Sequence, residues 1–234
     1  GKQQAIVVVF VGDSRLSWRG KTIEAYVDFH MERVFGTPSA QSLLETVGNY
    51  IGIDIDASPD HLSMSNKKTR EAMRALLDEY NLPVLDVSTP LPPDAKRLVY
   101  APISDDNPAV PVVNGRRIVG CGSWLALTVE PLLSYPCCLL AHAAPAPSKN
   151  STFCMQWIAS YAITNRRPLY FCRTSDGATT VTHVDATMAD QPDMASHYGY
   201  WQGCCNASLR WRAFSGHQVH SATRSPELVA GVAG

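Results

Sequence analysis

The chain has no apolar run long enough to cross a bilayer. Its longest, AIVVVFV from Ala5 to Val11, is far short of the roughly 20 residues that a spanning helix needs and reads as a buried strand. Net charge is nearly absent, at −1 over 234 residues. That argues against a partner selected by bulk electrostatics, such as duplex nucleic acid. The opening GKQQ lacks the basic and apolar regions of a secretory signal. Numbering starts at Gly1, which is compatible with a targeting segment already removed. CxxC pairs are missing, and the first 120 residues contain no cysteine.

The seven cysteines are Cys121, Cys137, Cys138, Cys154, Cys172, Cys204 and Cys205. Their number is odd, and neither they nor the histidines follow zinc-finger spacing. They read as reduced, packed thiols of an intracellular protein, with a disulfide or two in an oxidising compartment as the alternative. His30, His61, His142, His183, His217 and His220 form no ligand spacing. Asp54 and Asp56, at i and i+2, could face a cation but read more simply as a strand end. No metal and no cofactor is expected. The N-x-[ST] sequons at Asn150 and Asn206 are too common a pattern to establish secretion.

What is present divides into three zones. Residues 1–48 form an N-terminal extension, with a strand and then a helical pattern marked by Ile23, Val27, Met31 and Val34. Thr37-Pro38-Ser39 breaks it, and SAQSLLETVGN follows as a second short helix. Residues 49–135 are the most regular. YIGIDID predicts a strand and ASPDHLSMSN a loop. KKTREAMRALLDEYN predicts a helix with Met73, Leu76, Leu77 and Tyr80 on one face. LPVLDVS predicts a strand, and TPLPPDAKRL a short helix after a proline-rich turn. PAVPVV and RRIVG predict two strands joined by Asn114-Gly115, a strong hairpin dipeptide. GSWLALTVEPLL predicts a helix ended by Pro136. Residues 136–234 form a C-terminal extension. Its AHAAPAPSKNS reads as a linker, and the strand-like pieces after it show no core of their own.

The strand–helix–strand order of 49–135 predicts a parallel pair with right-handed crossover, extended by the hairpin into a small mixed sheet flanked by helices. The string NPAVPVVNGRRIVGCGSWLALTVE in that order resembles the thioredoxin fold. It is closest to the glutaredoxin-like SH3-domain-binding glutamic-acid-rich proteins. Pro111, Asn114-Gly115 and Gly120 fill the family's proline, hairpin and glycine positions, over Tyr50 to Leu133. The resemblance implies a cis bond before Pro111 and a binding groove made by Val110, Pro111, Gly120 and Cys121. In glutaredoxins such a groove receives an extended peptide or glutathione. One departure stands out. Redox members carry a nucleophilic cysteine before the long helix, whereas this loop holds Ser58, Ser63 and Ser65 and no cysteine. A serine hydroxyl cannot exchange disulfides.

An enzyme alternative starts from VVVFVGDSR. A strand running into Gly-Asp-Ser is how SGNH-type serine esterases begin, with the serine at a helix N-terminus. Ser14 would be the nucleophile, Asp193 and His197 its acid and base, and Gly48-Asn49 further oxyanion donors. The Asp–His spacing is four, where that class has three. The simpler reading makes Asp13 or Ser14 a helix cap.

SLRWRAFSGH mixes aromatics with arginine. That pattern suits stacking of single-stranded nucleic acid and also a protein interface; the interface is preferred in a nearly neutral chain. The combined expectation is an α/β, redox-inactive, thioredoxin-like subunit. It would hold other protein subunits in a larger intracellular assembly, without a catalytic residue. The Ser14 esterase and a glutathione-binding module without turnover are the alternatives.

Overall fold

The computed structural model describes residues 5–10, 13–18, 47–57, 61–172, 180–187, 191, 195–204 and 207–216. The expected helices over Ile23–Val34 and SAQSLLE lie outside these residues.

Five α-helices are described. The periodic segment forms α1 (Lys67–Glu79), where the Asn66 side chain accepts from Thr69 N–H at 3.0 Å and so caps the first turn. Met73, Leu76 and Leu77 are buried on its inner face. The short α2 (Ala95–Val99) follows the proline-rich turn as expected.

The next element corrects the sequence reading. Gly115–Thr128 is one helix, α3, in place of a hairpin strand and a later helix. Asn114 is its N-cap, accepting from Arg117 N–H at 3.2 Å. Gly115 is required by close approach, because a Cβ there would stand 2.8 Å from the Ala144 carbonyl oxygen and 3.0 Å from the Met155 side chain. The dipeptide that signals a hairpin therefore serves here as a cap followed by a tight helix contact.

A 3₁₀ turn (Pro131–Leu133) leads into α4 (Ser134–Ala141), which approaches α3 at Gly122. The stretch expected to be a linker ends in a capping box, with Ser148 and Ser151 each serving the other's backbone. It opens α5 (Lys149–Thr164). This helix is buried on nearly every side and forms the centre of the molecule. Met155, Ile158, Ala159, Ala162 and Ile163 join Met73, Leu77, Ile118, Leu125, Leu139 and Leu140 in one apolar cluster. That cluster runs straight across the expected boundary between residues 135 and 136.

LPVLDVS is extended but joins no ladder. Side chains of α5 and its C-cap satisfy its backbone instead. Gln156 Nε2 donates to Pro83 O at 2.7 Å, Leu85 N–H to Ser160 Oγ at 3.0 Å, and Trp157 Nε1 to Thr89 O at 2.8 Å. Asn165 Nδ2 donates to Val87 O at 3.2 Å. These bonds take the place of part of a strand ladder.

Every described strand pair is antiparallel, so the expected parallel crossover pair is not among them. β1 (Ala5–Phe10) and β2 (Asp13–Trp18) form a hairpin. β3 (Val47–Tyr50), β4 (Ile53–Ala57), β5 (His61–Ser65) and β6 (Leu169–Cys172) form a four-stranded sheet in that order. YIGIDID is thus a hairpin, turned by Ile51 and Gly52 at φ of 48° and 84°, and the predicted loop HLSMS is a strand. β7 (Thr180–Ala186), β8 (His197–Cys204) and β9 (Ala207–Ser215) form a third sheet, with a bulge at Gln202/Gly203. The protein is a mixed α/β molecule with antiparallel sheets around a helical core. The elements on which the glutaredoxin-like resemblance rests are placed otherwise, and a thioredoxin fold is not shown. Among the described residues, no helix is long and apolar enough to cross a membrane.

Candidate binding surfaces

Of the expected groove residues Val110, Pro111, Gly120 and Cys121, the last three line two adjoining depressions around the start of α3, and Val110 lines neither. One, of about 590 Å³, is lined by Pro111 and the Asn114–Arg117 turn. The other, of about 420 Å³, is lined by Gly120, Cys121 and Leu76. Glu79, Arg116 and Arg117 border both. Arg117 Nη1 donates to both carboxylate oxygens of Glu79, at 2.9 and 3.0 Å, and to Tyr80 Oη at 3.3 Å. This pair is about half exposed, so solvent screens it and it adds little to stability.

The peptide before Pro111 is trans, since no cis bond occurs among the described residues. Val110 does not present its amide to the groove. Its N–H donates to Pro147 O at 2.8 Å, and Lys149 N–H donates to Pro108 O at 2.8 Å. The segment before Pro111 is thereby tied to the capping turn of α5 rather than offered to a ligand.

Cys121 is partly exposed, and burial pushes its thiol above the ordinary range against the opposing pull of Arg117. Burial also pushes the Cys137 and Cys154 thiols up to about 12. All three are protonated at neutral pH, the opposite of an activated nucleophile. Cys137, Cys138, Cys121 and Cys154 are free thiols.

Ser14 lies inside β2 and pairs with Val9 across the hairpin, so it stands on a strand and not at a helix start. Gly48 and Asn49 belong to β3. The Asn49 side chain closes the β3–β4 turn, donating to Asp54 Oδ1 at 2.8 Å and accepting from Gly52 N–H at 3.1 Å. His197 begins β8, is buried, and meets the Tyr135 ring edge-on at 5.3 Å. Asp193 lies outside the described residues. Asp54 also accepts from Lys67 N–H at 3.3 Å, tying β4 to the start of α1. Among the described residues, no group of three His, Cys, Asp or Glu is placed to hold a metal.

The third sheet offers a different kind of surface. Thr180 to Asp185 of β7 are all exposed, and among the described residues β7 pairs with β8 alone. Its outer edge therefore carries unpaired backbone groups. The signal for this was in the sequence. TVTHVDA alternates without producing an apolar face, so neither side of the strand has a core to enter. On β9, Arg210 and Arg212 are exposed beside the exposed Leu209. The sheet is fastened to the helices along β9. Trp211 Nε1 donates to Ala126 O, and Ala213 N–H donates to Ser134 Oγ at 2.8 Å. No protein-family model, curated protein or solved structure matches this chain.

Proposed function

We propose that the chain is a partner-holding subunit, and that the open edge of β7 receives an extended strand of another protein. One observation carries this reading: β7 is exposed from Thr180 to Asp185 and, among the described residues, paired on one side only. Main-chain hydrogen bonds from an added strand give such an edge affinity, and alternate side chains give it specificity. Val181 and Val184, 47% and 44% exposed, supply apolar contact on the two faces. The buried helical core supplies the rigid support.

A second reading is favoured by Arg210 and Arg212, whose guanidinium groups lie over aromatic rings. Cationic and aromatic groups together suit single-stranded nucleic acid. It ranks second because the rings are occupied. Tyr200 is buried, and the Trp211 N–H is committed to Ala126.

The test is the native mass of the tagged full chain purified from its source cells, beside Thr182→Pro. Proline on an edge strand removes a donor and blocks an added ladder. The expected result is a stoichiometric complex with wild type and its loss with the variant. A wild-type chain recovered only as a free monomer overturns the proposal. Nuclease-sensitive recovery with a steep salt dependence moves the assignment to the second reading.

A further inference from the structure

We infer that the groove along the outer side of β9 is a second docking site, separate from β7, for an extended acidic segment of a partner protein. It goes beyond the β7 reading and does not depend on it. The groove holds about 350 Å³ between the end of α3 and β9. One wall is apolar, with Leu127 at 65% and Leu209 at 49% exposure, next to Trp211. The other is cationic, with Arg210 and Arg212 two residues apart on one face of the strand.

These arginines are prepared for an anion. Arg210 sits 5.3 Å from the centre of the Tyr200 ring, and Arg212 sits 5.4 Å from that of Phe214. Attraction to the ring steadies a guanidinium at this distance, and its N–H groups suit a carboxylate. Among the described residues neither makes an ion pair. At Ala213, outside the groove lining, the outer edge of β9 is already taken. Ala213 N–H points away from β8, toward Ser134. By the two-residue alternation of a strand, Trp211 presents its backbone on the same outer edge. Leu209 next to it is left over at the bulge, where Arg210 pairs with Gln202 and Ser208 with Gly203.

The occupant follows from this geometry. An extended segment laid beside β9 places residues i and i+2 on one face, about 7 Å apart, which matches the two arginines. Acidic residues at i and i+2 meet the guanidinium groups, and the apolar residue between them meets Leu127 and Leu209. A second copy of this chain does not supply the segment from its own Ile53-Asp54-Ile55-Asp56, because β4 is paired on both sides by β3 and β5.

The test is fluorescence anisotropy of the full chain with a labelled peptide, acetyl-Glu-Val-Glu-Val-Glu-amide, its Gln-for-Glu counterpart, and a labelled oligothymidylate. The expected result is saturable binding of the acidic peptide only. Arg210→Gln with Arg212→Gln should weaken it about tenfold or more, while Thr182→Pro leaves it unchanged. Unaltered far-ultraviolet circular dichroism of the double variant shows that it has folded; if it has not, Leu127→Asp at the apolar wall takes its place with the same expected loss. Equal binding of the acidic and Gln peptides, or full binding by the folded variants, overturns the inference. So does binding of the oligothymidylate in place of the peptide, or a wild-type dimer that the double variant dissolves. A failure here with the β7 complex intact removes the β9 site alone.

Discussion

Arg70 on α1 and Glu130 just beyond α3 meet at 3.2 Å with side chains only 7% and 9% exposed. The same guanidinium donates to Ala162 O, and to Asn165 O at 3.2 Å, at the end of α5. One buried cation therefore joins three helices. Burial raises the Glu130 carboxyl above its usual range, opposed by Arg70 and, more weakly, by Arg167. Its ionised form is held at a cost that the contacts only partly offset.

Removing one partner should be much worse than removing both. Glu130→Ala leaves Arg70 buried and unpaired, and the expected loss is about 3–5 kcal/mol. Arg70→Met combined with Glu130→Leu should lie within about 1–2 kcal/mol of wild type. Urea denaturation of the three proteins measures this. A Glu130→Ala loss no larger than that of the double variant would contradict the buried pairing. The pH sign follows. Because the folded carboxyl binds its proton more tightly than the unfolded one, this group's contribution falls as pH rises above the ordinary carboxylate range.

The start of α3 is packed without slack. Gly115→Val drives a side chain into the Ala144 carbonyl and Met155, and overpacking of this kind costs about 1–3 kcal/mol. Asn114→Ala removes the cap and should cost about 1 kcal/mol. Thermal denaturation ranks the two; a neutral Gly115→Val contradicts the close approach.

These elements show what the sequence could reveal. α1 was legible because it has one wet and one dry face. α5 was hidden because it has almost no wet face, and its capping serines follow an alanine- and proline-rich stretch that looks like a linker. Asn114-Gly115 misled because a hairpin turn and a helix cap followed by a close contact ask for the same two residues. LPVLDVS looked like a strand because its side chains suit one, yet α5 side chains take its hydrogen bonds. Ser14, expected at a helix start in the esterase alternative, lies on a strand. Asp-Ser opens a β-strand here as readily as it opens a helix, and nothing local separates the two.

The cysteines should behave as packing groups. At pH 7.5 the thiols of Cys137 and Cys154 should react with iodoacetamide only after unfolding, and Cys121 should react more slowly than a free thiol. Because the folded values for Cys137 and Cys154 stand at about 12, against 9.0 for the ordinary thiol, stability should fall as pH rises from 9 toward 12. Alkylation followed by mass spectrometry reads each site. Rapid labelling of Cys154 in the native chain contradicts its burial.

The third sheet should be tight on one side and loose on the other. β9 is pinned by Trp211 to Ala126 and by Ala213 to Ser134, and the Cys138 and Ser215 side chains meet at 3.5 Å. Among the described residues, β7 has no such anchors to the helices. In hydrogen exchange of the isolated chain, the Ala213 amide should be slow, while the outward amides of Thr180–Val184 should exchange as nearly free groups; the Ala186 N–H donates to Asp185 Oδ1 at 2.9 Å and is set apart. Ser134→Ala strips the partner from a partly buried N–H, which costs about 1–3 kcal/mol, and should speed exchange along β9 without altering β7. Uniform protection of β7 in the isolated chain would mean that its edge is already covered, and β7 could not then receive a partner strand. The expected asymmetry leaves that edge available while β9 holds the sheet in place.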